Sequence, residues 1–186
     1  MAAYPRPSAT VKFAIAIKVK NLEAKFHLAD LARAESRATA IGYARRAILN
    51  QRDTFFRIAD GKLKLREENG GAALIFYRRS EKGPLMLSNY EIAPVPDPKT
   101  TRHILDAALG ILATVEKVRI LLMRDNIRLH LDRVASLGDF GEIEAVIPDG
   151  DDPELSRVAV EELLAALEII PANLIDVSYF EMLARR

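Results

Sequence analysis

Glu142 and Glu144 stand two residues apart in the stretch "FGEIEAVI". On a strand that spacing sends both side chains to one side, where they could share a divalent ion. The other residues able to do chemistry are bases in strand-like runs. Lys62, Lys64 and Arg66 alternate with Leu63 and Leu65, and Lys117 and Arg119 alternate in "VEKVRI". Lys18, Lys20, Arg79 and Arg128 sit in further runs of the same kind. Guanidinium forks and lysine point charges suit phosphate oxygens. Mg²⁺ characteristically takes one or two carboxylates, several waters and substrate phosphates. The combined chemistry is a polyanion held by bases, with a divalent cation at an acidic corner.

Each signal is ordinary by itself. A lysine-bearing strand face is usually solvated, and a lone histidine such as His130 is more often a hydrogen-bonded structural residue than a ligand. Lys117 and Arg119 could pair with nearby acids. Weight comes from agreement among several strands. Their polar faces carry many bases against Asp132, Glu142 and Glu144, in a chain whose formal net charge is only +1.

The elements that must position these residues are read from periodicity. "IRLHLD" at 127–132 alternates strictly, so Ile127, Leu129 and Leu131 face a core while Arg128, His130 and Asp132 face the other way. Strands are predicted over 11–20, 44–50, 53–58, 62–67, 72–79, 85–92, 115–124, 126–134 and 140–147. Asp60-Gly61, Asn69-Gly70-Gly71 and Gly83-Pro84 mark turns. Helices are predicted over 22–35 with Asn21 as N-cap, over 100–113, over 152–169 before Pro171, and over 173–184. The fold class is α+β. Antiparallel strands with one apolar and one polar face form either an open sheet or a barrel with a wet interior. Residues 1–10, with Pro5 and Pro7, read as a flexible leader. Residues 11–186 read as one domain that ends in the helices of 152–184. Those helices either cover the sheet or make a homodimer contact.

Near-neutral charge argues against binding duplex nucleic acid or a membrane surface. Absence of cysteine excludes disulfides and thiolate zinc sites. With no apolar signal segment at the start and no run of membrane-spanning length, the expected location is the cytoplasm.

Longer stretches carry a resemblance. "QRDTFFRIADGKLKLRE" at 51–67, "LIFYRR" at 74–79, "LSNY" at 87–90 and "VEKVRILLMRDNIRLHLDRVASLGDFGEIEAVI" at 115–147 resemble the CYTH superfamily of triphosphate tunnel proteins. The likeness is closest to the class IV adenylyl cyclase branch, and the superfamily also includes thiamine triphosphatases. It implies a closed eight-stranded antiparallel barrel whose interior binds ATP, tripolyphosphate or thiamine triphosphate with Mg²⁺ or Mn²⁺. It implies cyclase or triphosphatase chemistry. By position, Lys64, Arg66, Arg79, Lys117, Arg119 and Arg128 resemble the phosphate ligands. Glu142 and Glu144 resemble the metal ligands, with Asp132 supporting the metal or its waters; His130 faces the tunnel, and Lys20 and Lys62 lie near its mouth or outside it. The family's first strand reads Glu-x-Glu-x-Lys. Aligned on Lys18 as the catalytic lysine, this chain has Ala14 and Ala16 in place of both glutamates. On that alignment the metal site is weakened, and the alternative to an enzyme is a protein that binds a triphosphate without turning it over.

Overall fold

The computed structural model describes residues 17–79, 85–147 and 153–185. Its elements run β1 (Ile17–His27), α1 (Leu31–Ala40), β2 (Ala44–Phe56), β3 (Lys62–Glu68), β4 (Gly71–Arg79), β5 (Met86–Pro94), α2 (Pro98–Leu109), β6 (Ile111–Arg124), β7 (Ile127–Val134), β8 (Gly138–Ile147), α3 (Pro153–Ala166), a 3₁₀ turn (Pro171–Asn173), β9 (Leu174–Ile175) and α4 (Tyr179–Ala184). The strands pair antiparallel in the order β5-β4-β3-β2-β6-β7-β8-β1, and β1 returns to pair with β5. That last pairing closes the sheet into the expected eight-stranded barrel. The short β9 adds to β1 at Lys25 and Phe26.

On β1, β7 and β8 the barrel is apolar outside and mainly polar inside. Leu22, Ala24 and Phe26 of β1, Leu129 and Leu131 of β7, and Ile143 and Ala145 of β8 form one cluster with Ala34 and Ala38 of α1 and Val160 and Leu163 of α3. Leu129 and Leu131 are fully buried, and each contributes about 1.5–3 kcal/mol by leaving water. The alternate residues of these strands point into the barrel. At one end of the barrel a second cluster joins Phe55, Val115, Val134 and Phe140 to Ile175, Tyr179 and Phe180. Both terminal helices therefore pack on the barrel, α4 at that end.

β1 departs most from expectation. The strand continues to His27, through residues expected to open a helix. "LEAKFH" contains good helix formers, but it also alternates, and alternation lets Leu22, Ala24 and Phe26 join the core. Tertiary burial overrides propensity here. The helix then starts at Leu31, where the Asp30 carboxylate accepts from Arg33 N at 3.0 Å and serves as N-cap in place of Asn21. The two strands expected over 44–58 are one continuous β2. The helix expected over 173–184 is split, because Leu174 and Ile175 pair with β1 before α4 begins. Residues 1–16, including the expected leader, lie outside the described residues.

One glycine is demanded by packing. Gly141 stands opposite Phe26 in the β1–β8 ladder, and a Cβ there would lie 2.1 Å from the Phe26 ring. The aromatic ring occupies the space that the missing side chain leaves, one residue before Glu142.

Candidate functional site

Two adjacent strand pairs place bases in the same way. On β3, Lys64 and Arg66 are two residues apart, and Asp53 of β2 stands directly opposite Arg66. Arg66 donates from Nε to Asp53 Oδ1 and from Nη2 to Oδ2, both at 2.7 Å, while Lys64 Nζ reaches Oδ2 at 3.1 Å. On β6, Lys117 and Arg119 are two residues apart, and Asp132 of β7 stands directly opposite Arg119. Arg119 donates from Nε to Asp132 Oδ1 at 2.6 Å and from Nη2 to Oδ2 at 2.7 Å, and Lys117 Nζ reaches Oδ2 at 3.1 Å. Each Lys-x-Arg pair is thus clamped by one aspartate from the neighbouring strand. A fork held along one edge is pre-oriented, and its remaining N–H groups are aimed before any ligand arrives.

All four bases line one cavity of about 270 Å³ inside the barrel. Glu23 and Lys25 of β1, Arg128 and His130 of β7, and Glu142 and Glu144 of β8 line it too. The cavity is divided by charge. β3 and β6 form a cationic wall, while Glu23, Glu142 and Glu144 form an acidic corner on β1 and β8. Lys25 is set in that corner, with Nζ 2.5 Å from Glu142 Oε1. Arg119 Nη2 bridges the two regions by reaching Glu142 Oε2 at 2.8 Å.

Burial and pairing set the charge states. Burial works against ionisation of Asp53, but Arg66 and Lys64 outweigh it and hold the carboxyl well below its usual range. Burial likewise opposes the charge on Glu142, and Lys25, His130 and Arg119 more than offset it. Asp132 behaves in the same way, held down by Arg119 and Lys117 against its burial. Lys117 goes the other way: burial and the adjacent Arg119 pull its ammonium down to about 7, against the attraction of Asp132. Burial, then Arg119, lowers His130 below the usual imidazole value.

Of the residues singled out from the sequence, Lys64, Arg66, Lys117, Arg119, Arg128, His130, Glu142 and Glu144 come together around this cavity. Asp132 is fully buried behind Arg119, and its two oxygens are taken by Arg119, Lys117 and the Tyr179 hydroxyl, which donates at 3.0 Å. It anchors Lys117 and Arg119 and does not line the cavity. Lys62 turns toward α4, with Nζ 3.1 Å from Glu181 Oε2 and 4.9 Å from the Phe180 ring centre. Lys20 belongs to the alternate set of β1 positions from Asn21, Glu23 and Lys25 and does not line the cavity. Ala14 and Ala16 lie outside the described residues, as do the side chains of Lys18 and Arg79; in the backbone ladders these two residues are in register with Glu91 and Ser88.

The sequence reading missed Glu23, Lys25, Asp53 and Tyr179. β1 delivers Glu23 and Lys25 to the cavity, so the expectation that the first strand brings no acid to the site does not hold. Asn21-Leu22-Glu23-Ala24-Lys25 has the Glu-x-Glu-x-Lys spacing with only the first acid replaced. That spacing was the available signal, hidden inside a segment assigned to a helix. Nothing local marks Asp53 or Tyr179, whose roles depend on partners far along the chain. With Glu23, Asp53 and Glu68 included, the lining is closer to charge balance than the strand faces suggested.

One group in the cavity has the composition of a cation site. His130, Glu142 and Glu144 each offer a ligand atom, and these atoms lie within 4.8 Å of one another. Glu23 stands opposite Glu144 in the β1–β8 ladder. Two carboxylates with a buried imidazole nitrogen that makes no hydrogen bond of ordinary length fit a divalent cation.

A closed antiparallel barrel with clamped Lys-x-Arg pairs facing an acidic corner defines a class of tunnel protein suited to polyanions. The chain belongs to the CYTH domain family, whose model matches residues 20–179. It is 27% identical to a candidate adenylate cyclase of Methanocaldococcus jannaschii over 132 residues, which is 70% of this chain and 75% of that protein. Its fold matches that of a Pyrococcus horikoshii protein with a TM-score of 0.78 at 21% identity, over 87% of this chain and 98% of the other. It also matches a candidate adenylyl cyclase from Hippeastrum, described as having a dominant triphosphatase activity. There the TM-score is 0.65 at 14% identity, over 90% and 95% of the two chains. Among the described residues, no helix is long and apolar enough to cross a membrane.

Proposed function

We propose that this chain binds a triphosphate, such as ATP, tripolyphosphate or thiamine triphosphate, inside the barrel and cleaves or cyclises it with a divalent ion. The observation that carries the reading is the convergence of two aspartate-clamped Lys-x-Arg pairs on one cavity opposite Glu142 and Glu144. Arg66 and Arg119 bind phosphate oxygens as oriented forks, and Lys64 and Lys117 act as point charges beside them. Arg128, whose side chain is 37% exposed, holds the part of the ligand nearest solvent. The resemblance adds Arg79 to this set. The role it gave to Lys18 passes in this reading to Lys25.

Glu142 and Glu144, with Glu23 adjacent, would hold Mg²⁺ or Mn²⁺, which would supply charge neutralisation on the phosphates and orientation of the nucleophile. The chain's own part is placement and electrostatics. In hydrolysis, water attacks the terminal phosphorus, its bond to the bridging oxygen breaks with the diphosphate as leaving group, and the attacked phosphorus is released as orthophosphate. In cyclisation, a ribose 3′-hydroxyl attacks the α-phosphorus and pyrophosphate leaves. Either way the clamped arginines meet the charge that develops on phosphate oxygens without having to reorganise.

Phosphorus NMR of ATP and of tripolyphosphate, each incubated with the protein and Mg²⁺, tests this reading. Pyrophosphate with cyclic nucleotide identifies a cyclase, and orthophosphate identifies a triphosphatase. Shifted or broadened lines without product identify a protein that binds only. Unshifted lines for both compounds overturn the reading. Glu23→Gln should lose turnover, whereas Ala14→Glu with Ala16→Glu should leave it unchanged.

A further inference from the structure

His130 is set unlike the bases around it. It is 5% exposed, on the cavity side of β7 between Arg128 and Asp132. Its Nδ1 makes no hydrogen bond of ordinary length, and its nearest acceptors are Glu142 and Glu144. A buried polar atom without a partner is costly, commonly about 1–3 kcal/mol, and calls for an explanation such as a bound water or ion. The atom is not aimed at one neighbour. It stands 3.6 Å from Glu142 Oε2 and 3.7 Å from Glu144 Oε1, nearly equidistant from oxygens of two different glutamates. Hydrogen bonding would bring the nitrogen onto one oxygen at roughly 2.7–3.2 Å. Equal spacing to two carboxylates is the arrangement of three ligands around a shared centre. An ion bonded at roughly 2.1 Å separates its ligand atoms by up to roughly 4.2 Å, and both observed separations fall inside that span.

The two glutamates keep the capacity to take part. Lys25 and Arg119 occupy one acceptor direction each on Glu142 Oε1 and Oε2, and a carboxylate oxygen has more than one. At Glu144, Oε2 is approached by Asn21 Nδ2 at 3.5 Å and by Arg128 Nη1 at 3.7 Å, while Oε1 is the oxygen that faces His130.

We infer that His130 Nδ1 is a direct ligand of the cation held by Glu142 and Glu144, and that it makes the site select a first-row transition ion such as Mn²⁺ over Mg²⁺. This rests on the metal-dependent reading above and adds one ligand and the class of ion. Mg²⁺ favours all-oxygen octahedral surroundings and gains little from an imidazole. First-row transition ions bind nitrogen more strongly, and a site with two carboxylates and one imidazole suits them.

The test uses the full chain and Mn²⁺ alone. Pulsed electron paramagnetic resonance of the Mn²⁺ complex should show coupling to a directly bound ¹⁴N nucleus, which disappears in His130→Ala. Calorimetry should show Mn²⁺ binding about tenfold or more tighter than Mg²⁺, and His130→Ala should lower Mn²⁺ affinity about tenfold or more with Mg²⁺ affinity little changed. His130→Gln, which keeps a polar group in the space, should give the same loss of coupling if the alanine variant folds poorly. A wild-type complex that needs Glu144 but shows no ¹⁴N coupling overturns the inference and leaves the metal-dependent reading intact. Absence of Mn²⁺ binding, or binding unaffected by Glu142→Gln and Glu144→Gln, overturns both.

Discussion

Arg119 and Asp132 stand directly opposite each other across the β6–β7 ladder and are joined by two hydrogen bonds of 2.6 and 2.7 Å. Arg66 and Asp53 repeat the arrangement across β2 and β3. These aspartates give the two arginines a fixed orientation and a compensating charge in a buried place. Removing one partner of such a pair leaves an uncompensated charge. Asp132→Asn should therefore destabilise the protein by about 3–5 kcal/mol, read by chemical denaturation. It should also weaken tripolyphosphate binding, because the Arg119 fork loses its backing.

Arg128 makes the contrasting case. Its side chain is 37% exposed, and its contact with Glu144 is a long 3.7 Å. Arg128→Ala should leave the melting temperature nearly unchanged. It should weaken triphosphate binding about tenfold or more, the value of one charge-assisted contact, as measured by calorimetry.

Gly141 and Phe26 share one space, with a Cβ at position 141 falling 2.1 Å from the ring. Gly141→Ala forces Phe26 or the β8 backbone to move and should cost about 1–3 kcal/mol as overpacking. Since Glu142 follows directly, Mn²⁺ affinity should fall as well. Gly141→Ala with Phe26→Leu should recover part of the stability.

The depressed Lys117 predicts a pH dependence. Burial and Arg119 lower its folded value to about 7, so the free protein loses this charge as pH rises through 7. A bound polyanion favours the charged form and draws the proton back. At pH 8, triphosphate binding should therefore take up a proton, seen as a binding enthalpy that varies with the ionisation enthalpy of the buffer. Near pH 6, where Lys117 is already charged, that contribution should vanish. Lys117→Met should remove the contribution at pH 8.

Much of the barrel was legible because a strand buried on one face must alternate, and β3, β7 and β8 alternate strongly. The same alternation put Lys64 with Arg66, and Glu142 with Glu144, on common faces. β1 was misplaced because "NLEAKFHLADL" satisfies two periods at once. Helix formers and apolar spacing suit a helix, yet Leu22, Ala24 and Phe26 also fit a strand, and only the closure of β1 onto β5 and β8 decides between them. Misplacing β1 hid Glu23 and Lys25. Asp53 was illegible for another reason: its value lies in facing Arg66 across a ladder, and a sequence does not print its ladder register. Tyr179 is more remote still, since its hydroxyl meets Asp132 from a helix at the far end of the chain.

Calorimetric titration of tripolyphosphate with Mg²⁺ into the wild-type protein and into Arg66→Ala tests the central claim most directly. Occupation of the barrel interior predicts one-to-one binding by the wild type and affinity about tenfold or more weaker in the variant. No binding by the wild type, or equal affinity in the two proteins, would contradict it.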